Sequence, residues 1–546
     1  MHHFLQKAVA LLKASASNLT HPRSPTAQQH WPEVTKGTKQ HQNALKHAEQ
    51  LFGVGDYNAA AEVLEGAGKV RPRAWRILLQ CYQRMHRFED LCSTYESMPA
   101  EFQKEPTCRY LYVTAAANLQ RSDVVERVVD DVLAEPDEPS AVEFLCKAFP
   151  IAAKLEPDRF DAVARCIVAH GAELAAKDFD AVLICAHHIQ EKGSRENASH
   201  LEAVLKHSAA DEKARAKLHI FKAQAHFLAG RYDRQLEAIN DALAEQGIRP
   251  VSLIDAREPL TCENLKADIV GPPVHGPVVT ILMPAYNSAE TIGYALESLR
   301  CQTYRDLEVI VVDDASTDAT AGIVAQVSAS DRRIRLISLA TNSGAFIARN
   351  VALAAARGEF VTNQDADDWA HPQKIAAAIT ELQRDNSIIA TWVNHVRCSG
   401  AQGFRPLSSY IRPDASSLMF RRGPVMERMG WYDSVRAAGD GEFYFRMRRS
   451  FGPKSIRQLD RLLSFVSWSE TSLSGGGDLR LDNDLGILGP ARSAYTRSFG
   501  LWHETAEQLY MPFPLARRPF PAPQSLLPLG SVASQTADTP DTPRSP

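Results

Sequence analysis

The sequence predicts two unlike folds in one chain: an all-α helical-repeat domain, then an α/β domain with a doubly wound, mostly parallel sheet. Three observations predict this. From about Gln40 to Gly247 apolar residues recur at helical spacing, and turn residues break the pattern at near-regular intervals. From Val278 onward, short apolar runs alternate with amphipathic stretches, as in a sheet with helical crossovers. Within that second region the acidic cluster Gln364-Asp365-Ala366-Asp367-Asp368-Trp369 directly follows the strand pattern Gly358-Glu359-Phe360-Val361-Thr362.

A chain of 546 residues exceeds one ordinary domain, and about three is the expectation. An N-terminal helix and linker are expected at 1–39, the helical-repeat domain at 40–250 and a linker at 251–277. The α/β domain then runs over 278–515, before a Pro-rich disordered tail at 516–546. With 23% charged and 45% hydrophobic residues the composition is that of a soluble globular protein, and a net charge of −4 gives no basis for nucleic-acid binding. The nine cysteines stand singly with no C-x-x-C pair, which fits a reducing compartment and argues against a disulfide framework or a zinc site. No run of about 18 apolar residues is present for a transmembrane helix. A cytoplasmic protein is expected, with at most peripheral contact at the inner face of the membrane. The patch Ala8-Val9-Ala10-Leu11-Leu12 is too short for a signal peptide and reads as a frayed terminal helix in preference to an amphipathic surface anchor.

In the helical region the breaks are Gly55-Asp56-Tyr57, His86-Arg87-Phe88 and Arg121-Ser122-Asp123, so Tyr57 to Phe88 is a step of 31 and Phe88 to Ser122 a step of 34. A further unit is Ala223 to Ala242, with Gly230-Arg231-Tyr232 at its turn, while 136–208 keeps the helices and loses the register. Helix-turn-helix units at this period resemble degenerate tetratricopeptide-type repeats. Such an array offers a concave surface to a protein partner; with equal weight, it is a wing packed on the next domain.

Gly271-Pro272-Pro273 opens the boundary. Val278 to Met283 is a near-continuous apolar run, the pattern of a parallel strand covered on both faces. A helix follows over about Ala289 to Arg300, then a strand at Glu308 to Val312 and a helix near Ala319 to Ser328. A strand at Ile334 to Leu339, a helix at Ala345 to Ala356 and the strand at Phe360 to Thr362 complete the series. Successive parallel strands joined this way take right-handed crossovers and bring their carboxyl ends to one edge.

Those ends carry the candidate chemistry. After the first strand, Pro284-Ala285-Tyr286-Asn287 offers an aromatic face for a base and an Asn to help cap the next helix. After the second comes Asp313-Asp314-Ala315-Ser316-Thr317-Asp318. A carboxylate there can accept the N3–H of uracil, which cytosine lacks, although Asp-x-Ser is also a common helix cap. Asn342-Ser343-Gly344 suits a tight helix entry, and Arg349 on the first turns is a cationic fork for phosphate or carboxylate. Asp365, Asp367 and Asp368 suit a hard divalent cation such as Mn²⁺ or Mg²⁺, which takes one or two carboxylates and completes its shell with phosphate oxygens. The competing reading is an acidic loop capping the helix that begins near Pro372.

Taken together, these four signals resemble the nucleotide-binding half of family 2 glycosyltransferases, which have the GT-A fold. The matching pieces are Pro284-x-Tyr286-Asn287, Asp313-Asp314-x-Ser316-x-Asp318, Asn342-x-Gly344-x-x-x-Ala348-Arg349-Asn350, and Asp365-x-Asp367-Asp368 with Pro372 and Lys374 beyond. The resemblance implies that Asp365 and Asp367 hold a divalent metal and the nucleotide-sugar, with Asp367 the direct ligand, and that Asp314 contacts uracil. Pro284, Tyr286, Asn287, Asp313 and Arg349 complete the nucleotide-sugar side. On the acceptor side it implies a general base at Asp440, within Ala438-Gly439-Asp440-Gly441-Glu442-Phe443-Tyr444-Phe445-Arg446. Gly439 stands where many members have Glu, and Glu442 competes for the role, although an i,i+4 pair with Arg446 is its preferred reading. The reaction implied is inverting transfer from a UDP-sugar to a glycan, lipid-linked or protein acceptor. The Ser467-to-Ser474 segment with glycines 475–477 is a candidate lid, and His503 reads as structural.

Two rivals remain open. One is a catalytically inert transferase-like domain on a protein-interaction scaffold. The other is a nucleotidyltransferase, which should carry a Gly-rich phosphate loop after the first strand; Ala285-Tyr286-Asn287-Ser288 has no glycine.

Overall fold

The computed structural model describes residues 39–528, except 54–55, 68–71, 86, 137–138, 153–156, 172–177, 192–210, 267, 269–270, 407–408, 469–480 and 483–486. The expected terminal helix, the linker before residue 39 and the candidate lid beyond Trp468 lie outside the described residues. The chain divides into two compact units between Phe102 and Gln103. No helix among the described residues is long and apolar enough to cross a membrane.

The described residues up to Ala244 form helices, including pairs whose second members begin at Tyr57, Phe88, Ser122 and Tyr232. Three of these turns share one backbone geometry. Arg87, Arg121 and Arg231 each precede the second helix, with φ of −86°, −88° and −102° and ψ of 66°, 70° and 75°. Each donates its N–H to a carbonyl five residues back, on Tyr82, Ala116 and His226 respectively. Such bonds close off the last carbonyls of the first helix and set the angle of the second.

The second unit continues from these helices into the sheet without a free linker. Gln224 donates to the Gln402 carbonyl and accepts from Phe404 N–H, and the Gln246 side chain accepts from Leu462 N–H. Tyr410 O–H and His187 Nδ1 lie 2.7 Å apart. The helices after residue 103 therefore pack as a wing on the α/β domain. The segment expected as a linker at 251–277 is ordered over most of its length: Ser252–Leu253 pairs antiparallel with Leu265–Lys266. The cause is side-chain capture, since Asn264 alone makes hydrogen bonds to Asp255, Glu258 and Pro259.

The α/β domain is built from β1 (Val279–Ala285), α1 (Ile292–Arg300), β2 (Leu307–Asp313), α2 (Thr320–Ser330), β3 (Ile334–Ser338), α3 (Ala345–Ala355) and β4 (Phe360–Asn363). These are followed by β5 (Trp369–Ala370), α4 (Lys374–Arg384), β6 (Ala390–Ser399), β7 (Met419–Arg421), α5 (Gly439–Phe451), β8 (Ile456–Ser467) and α6 (Pro490–Thr505). Strand order is β3-β2-β1-β4-β7-β6-β8-β5. The first four run parallel, β7 is antiparallel to both β4 and β6, and β8 is parallel to β6 but antiparallel to β5. The near-continuous apolar run of β1 is explained by burial on both faces. Val279, Ile281, Met283 and Ala285 join the core with α1 and α4, whereas Leu282 joins the opposite core with α3, α5 and α6.

One expectation fails at the C-terminus. Residues 516–528, assigned to a disordered tail, are packed: Phe520 and Leu526 are buried, Arg518 ion-pairs with Asp433, and Arg436 N–H donates to the Leu526 carbonyl. Proline-rich composition suggested disorder, but two apolar side chains spaced to reach the α5/α6 core were enough to hold the segment. The rest of the tail lies outside the described residues.

Candidate active site

In the order β3-β2-β1-β4 the chain leaves β1 toward one side first and the other later, so a crevice opens between the carboxyl ends of β1 and β4. Three of the singled-out segments emerge there. Tyr286, next after β1, is 50% exposed, which leaves its ring face open to solvent. Asn287 takes a left-handed conformation, φ 47°, and its side chain accepts from Thr317 N–H at 2.9 Å. It ties the β1 loop to the β2 loop rather than capping α1. The β2 loop answers in kind: Ser316, Thr320 and Asp318 accept from the amides of Asn287, Ser288 and Ala289. Pro284 sits within β1 itself, opposite Val312.

Asp313 and Asp314 are both buried. Asp313 accepts from Ser316 N–H at 3.4 Å, and its carbonyl accepts from Leu339. Each oxygen of Asp314 accepts a backbone amide at 2.7 Å, one from Ser343 and one from Gly344. Gly344 has φ 94°, a left-handed value that a side chain would strain. The carboxylate thus anchors the entry to α3. An ionised carboxylate has about four acceptor positions, and these amides take two.

The acidic loop follows β4. Arg349, on α3, is buried, lies over the Phe346 ring at 4.6 Å and reaches Asp365 at 2.5 Å. One nitrogen of its cationic fork is therefore engaged by a carboxylate, while its Nε is buried without a partner. Burial works against the Arg349 charge, but Asp365, Tyr432 and Asp440 outweigh it and hold its pKa above the usual value. Asp367 makes no side-chain hydrogen bond or ion pair with any described residue; its carbonyl accepts from Tyr294 O–H. Burial and then the Asp365 charge push Asp367 up to about 6. Asp368 is buried and accepts from Ser467 N–H at 3.0 Å; burial, then Asp367 and Asp365, push it well above the carboxylate range. Crowded, desolvated carboxylates of this kind are what a bound cation relieves. Among the described residues no group of three or more His, Cys, Asp and Glu forms a closed metal cage. Asp365 and Asp367 fit instead a Mn²⁺ or Mg²⁺ ion that draws its other oxygens from phosphate and water.

Lys374, noted in the motif, is wholly internal: its ammonium donates to Gln364 at 2.8 Å and lies 4.0 Å from Asp414. Burial lowers its pKa against the pull of Asp414, Asp368 and Asp365. It braces the acidic loop from beneath.

Across the crevice from the β1 and β2 loops, Ala438 takes a left-handed conformation, φ 66°, before α5 begins at Gly439. A Cβ at Gly439 would stand 2.9 Å from the Phe346 ring, so no side chain fits where many members carry Glu. Asp440, in the first turn, is partly exposed, and its charge acts on Arg349, Tyr432 and Arg492. Glu442 is fully buried; Arg446 grips it at 2.7 and 3.0 Å and His503 lies 3.0 Å from it. Arg446 also donates to the Trp431 carbonyl at 2.7 Å. Glu442 and His503 thus fasten α5 to α6, and Asp440 is left as the carboxylate at the crevice.

Sequence reasoning missed Tyr432, Gln364 and Asp414. Tyr432 stacks on Phe443 at 4.0 Å, and its O–H accepts from Asn363 at the end of β4. No periodicity or motif marks Tyr432 or Asp414, and nothing in the acidic segment marks Gln364 as the partner of Lys374; only the crossing of distant segments does.

A doubly wound nucleotide-type half, a carboxylate crevice at its switch point and a mixed acceptor-side sheet define a domain of the GT-A fold. Residues 280–439 match the family described as Glycosyl transferase family 2. The chain is similar to the putative glycosyltransferase EpsE of Bacillus subtilis, 34% identical over 199 residues, or 35% of this chain and 66% of EpsE. It is 42% identical over 114 residues to the succinoglycan biosynthesis protein ExoO of Rhizobium meliloti, or 21% of this chain and 32% of ExoO. The chain thus spans less than two thirds of the length of either relative. Among solved structures, S. aureus TarS 1–349 in complex with UDP aligns with a TM-score of 0.30 and 22% identity, over 35% of this chain and 61% of that one.

Proposed function

We propose that this chain is a metal-dependent inverting glycosyltransferase that moves a sugar from a nucleotide-sugar to a glycan, lipid-linked or protein acceptor. The observation that carries the reading is the acidic loop: Asp367 offers an unshared carboxylate beside an Asp365 held by Arg349, at the carboxyl end of β4. A Mn²⁺ or Mg²⁺ ion bound there would supply positive charge to the departing nucleoside diphosphate. Tyr286 gives a base an open aromatic face. Asp314 selects a uridine donor through the acceptor positions that Ser343 and Gly344 leave unused. Asp440 takes the proton from the acceptor hydroxyl as it attacks the anomeric carbon, a role for which a carboxylate at the mouth of the crevice is suited. The name of ExoO, a succinoglycan biosynthesis protein, supports polysaccharide synthesis and a glycan acceptor. The helical repeats of the first unit recruit a protein partner.

The test is calorimetric titration of the full chain with UDP, CDP and GDP, with and without Mn²⁺, beside Asp367→Ala. Metal-dependent binding of UDP that is lost in the variant is the expected result. Absence of nucleotide binding with any metal would return the chain to the reading of an inert domain on a helical scaffold.

A further inference from the structure

Away from the crevice, the α/β domain carries a cavity that the proposed chemistry does not use. Its volume is about 360 Å³, and it opens between α4, the turn at Gly271-Pro272 and the irregular stretch of β8 around Leu459 and Arg461. Cavities of this order hold small-molecule ligands. Gln373, Ala377, Thr380 and Glu381 line it at helical spacing, so it follows one face of α4. Arg461 precedes Ser467, whose N–H meets Asp368, by roughly 15 to 20 Å of strand, which sets the cavity apart from the acidic loop.

The polar groups of the cavity fall into two sets. One set is already engaged. Glu381 is shared by Arg457 at 2.8 Å and Arg384 at 3.6 Å. The Thr380 hydroxyl donates to the Ala376 carbonyl, and the Thr303 hydroxyl to the Pro372 carbonyl. The other set consists of donors. Among the described residues the guanidiniums of Arg249 and Arg461 make no ion pair or hydrogen bond. Gln373 adds a third donor: its side-chain oxygen accepts from Arg249 N–H at 3.0 Å, which leaves its NH₂ as the unengaged end. Gly271 has φ 96°, and a Cβ there would stand 3.6 Å from the Arg249 guanidinium. A glycine suited to that backbone thus lets the chain pack directly against the cation at the cavity wall.

A set of unengaged groups made only of donors, two of them cations, is complementary to an anion. The rest of the wall, from Val274, Leu459 and the methyls of Ala376 and Ala377, is apolar and more extensive than a bare oxyanion can cover.

We infer that this cavity binds an organic phosphate, with the phosphoryl group between Arg249 and Arg461 and the organic body on the apolar wall along α4. A phosphoryl dianion balances both guanidiniums, whereas a carboxylate balances only one, and each guanidinium meets its oxygens with paired donors. Gln373 supplies a further donor to the same group. The site stands independently of the glycosyltransferase reading of the crevice.

The experiment titrates the full chain calorimetrically at low ionic strength with phenyl phosphate, inorganic phosphate and benzoate and, separately, with UDP and Mn²⁺. Wild type is compared with Arg249→Gln, Arg461→Gln and the control Arg257→Gln, whose side chain is 89% exposed and pairs locally with Asp255. The expected result is saturable binding of phenyl phosphate, at least tenfold tighter than that of inorganic phosphate or benzoate. Arg249→Gln and Arg461→Gln should each weaken it at least tenfold and the control should leave it unchanged, with the UDP titrations matching wild type within twofold throughout. Circular dichroism of each variant separates loss of the site from loss of the fold. No saturable binding of phenyl phosphate by wild type, or equal binding by the two variants, overturns the proposal. Inorganic phosphate binding as tightly overturns the organic body, and benzoate binding as tightly overturns the phosphoryl group. Parallel loss of UDP binding in Arg249→Gln or Arg461→Gln also overturns it and assigns the cavity to the nucleotide donor.

Discussion

Arg349 and Asp365, sixteen positions apart in sequence, meet at 2.5 Å across the crevice, with the guanidinium side chain 6% exposed and the carboxylate 37% exposed. The arginine that the sequence offers to phosphate or carboxylate is occupied by the first carboxylate of the acidic loop. This single contact holds Asp365, whereas the Asp367 carboxylate makes no ion pair among the described residues.

Because Asp365 keeps more than a third of its surface in water, screening discounts the pair. A double-mutant cycle of Arg349→Ala and Asp365→Ala should give a coupling of about 1 kcal/mol in urea unfolding, not the 3–5 kcal/mol of a fully buried pair. A coupling near zero would mean that the contact does not position the loop.

Gly439 is required by Phe346. Gly439→Ala should lower stability by about 1–3 kcal/mol through overpacking, and Phe346→Leu should recover part of the loss in the double variant. If Gly439→Glu were as stable as wild type, the close approach to the ring would be wrong.

Asp440 and Glu442 should separate cleanly under substitution. Asp440→Asn is expected to reduce kcat by about 10²–10⁴-fold with stability close to wild type. Glu442→Ala should cost about 3–5 kcal/mol of stability, since it strands Arg446 in the core. Near-normal turnover by Asp440→Asn would move the base elsewhere.

The pH dependence of stability follows from His371. Its Nε2 lies 3.1 Å from the Arg249 carbonyl and its Nδ1 accepts from Gln373 N–H at 3.1 Å, so both nitrogens are used by the neutral ring. Burial lowers the pKa to about 4 from an ordinary 6.5, against the partial support of the Arg249 carbonyl. A folded pKa below the unfolded one means the unfolded chain binds the extra proton first. The contribution is therefore full above about pH 6.5 and is lost as pH falls toward 4, about 3 kcal/mol in all. His395, also lowered to about 4 by burial, acts in the same direction. Chemical denaturation at intervals from pH 7 to 4 should show a shallower acid slope in His371→Asn than in wild type. Equal slopes would remove His371 as a cause.

What the sequence by itself determined was local. The helix-pair turns at Tyr57, Phe88, Ser122 and Tyr232, the strands β1 to β4, and the acidic loop are all written in periodicity and turn chemistry over windows of a few residues. The strand ends were legible for the same reason, since a parallel strand buried on both faces stands out as an apolar run. What only the tertiary structure decided depends on segments that meet after long separations. Arg349 could have faced solvent or phosphate until Asp365 was placed beside it. Glu442 could have been the base until Arg446 and His503 closed around it. The packed residues Phe520 and Leu526 looked like part of a proline-rich tail, and the helices after Gln103 could have stood alone. In each case the deciding quantity is burial against a distant surface, which sets whether a charge is paired, a side chain fits or a segment is held, and no local pattern encodes it.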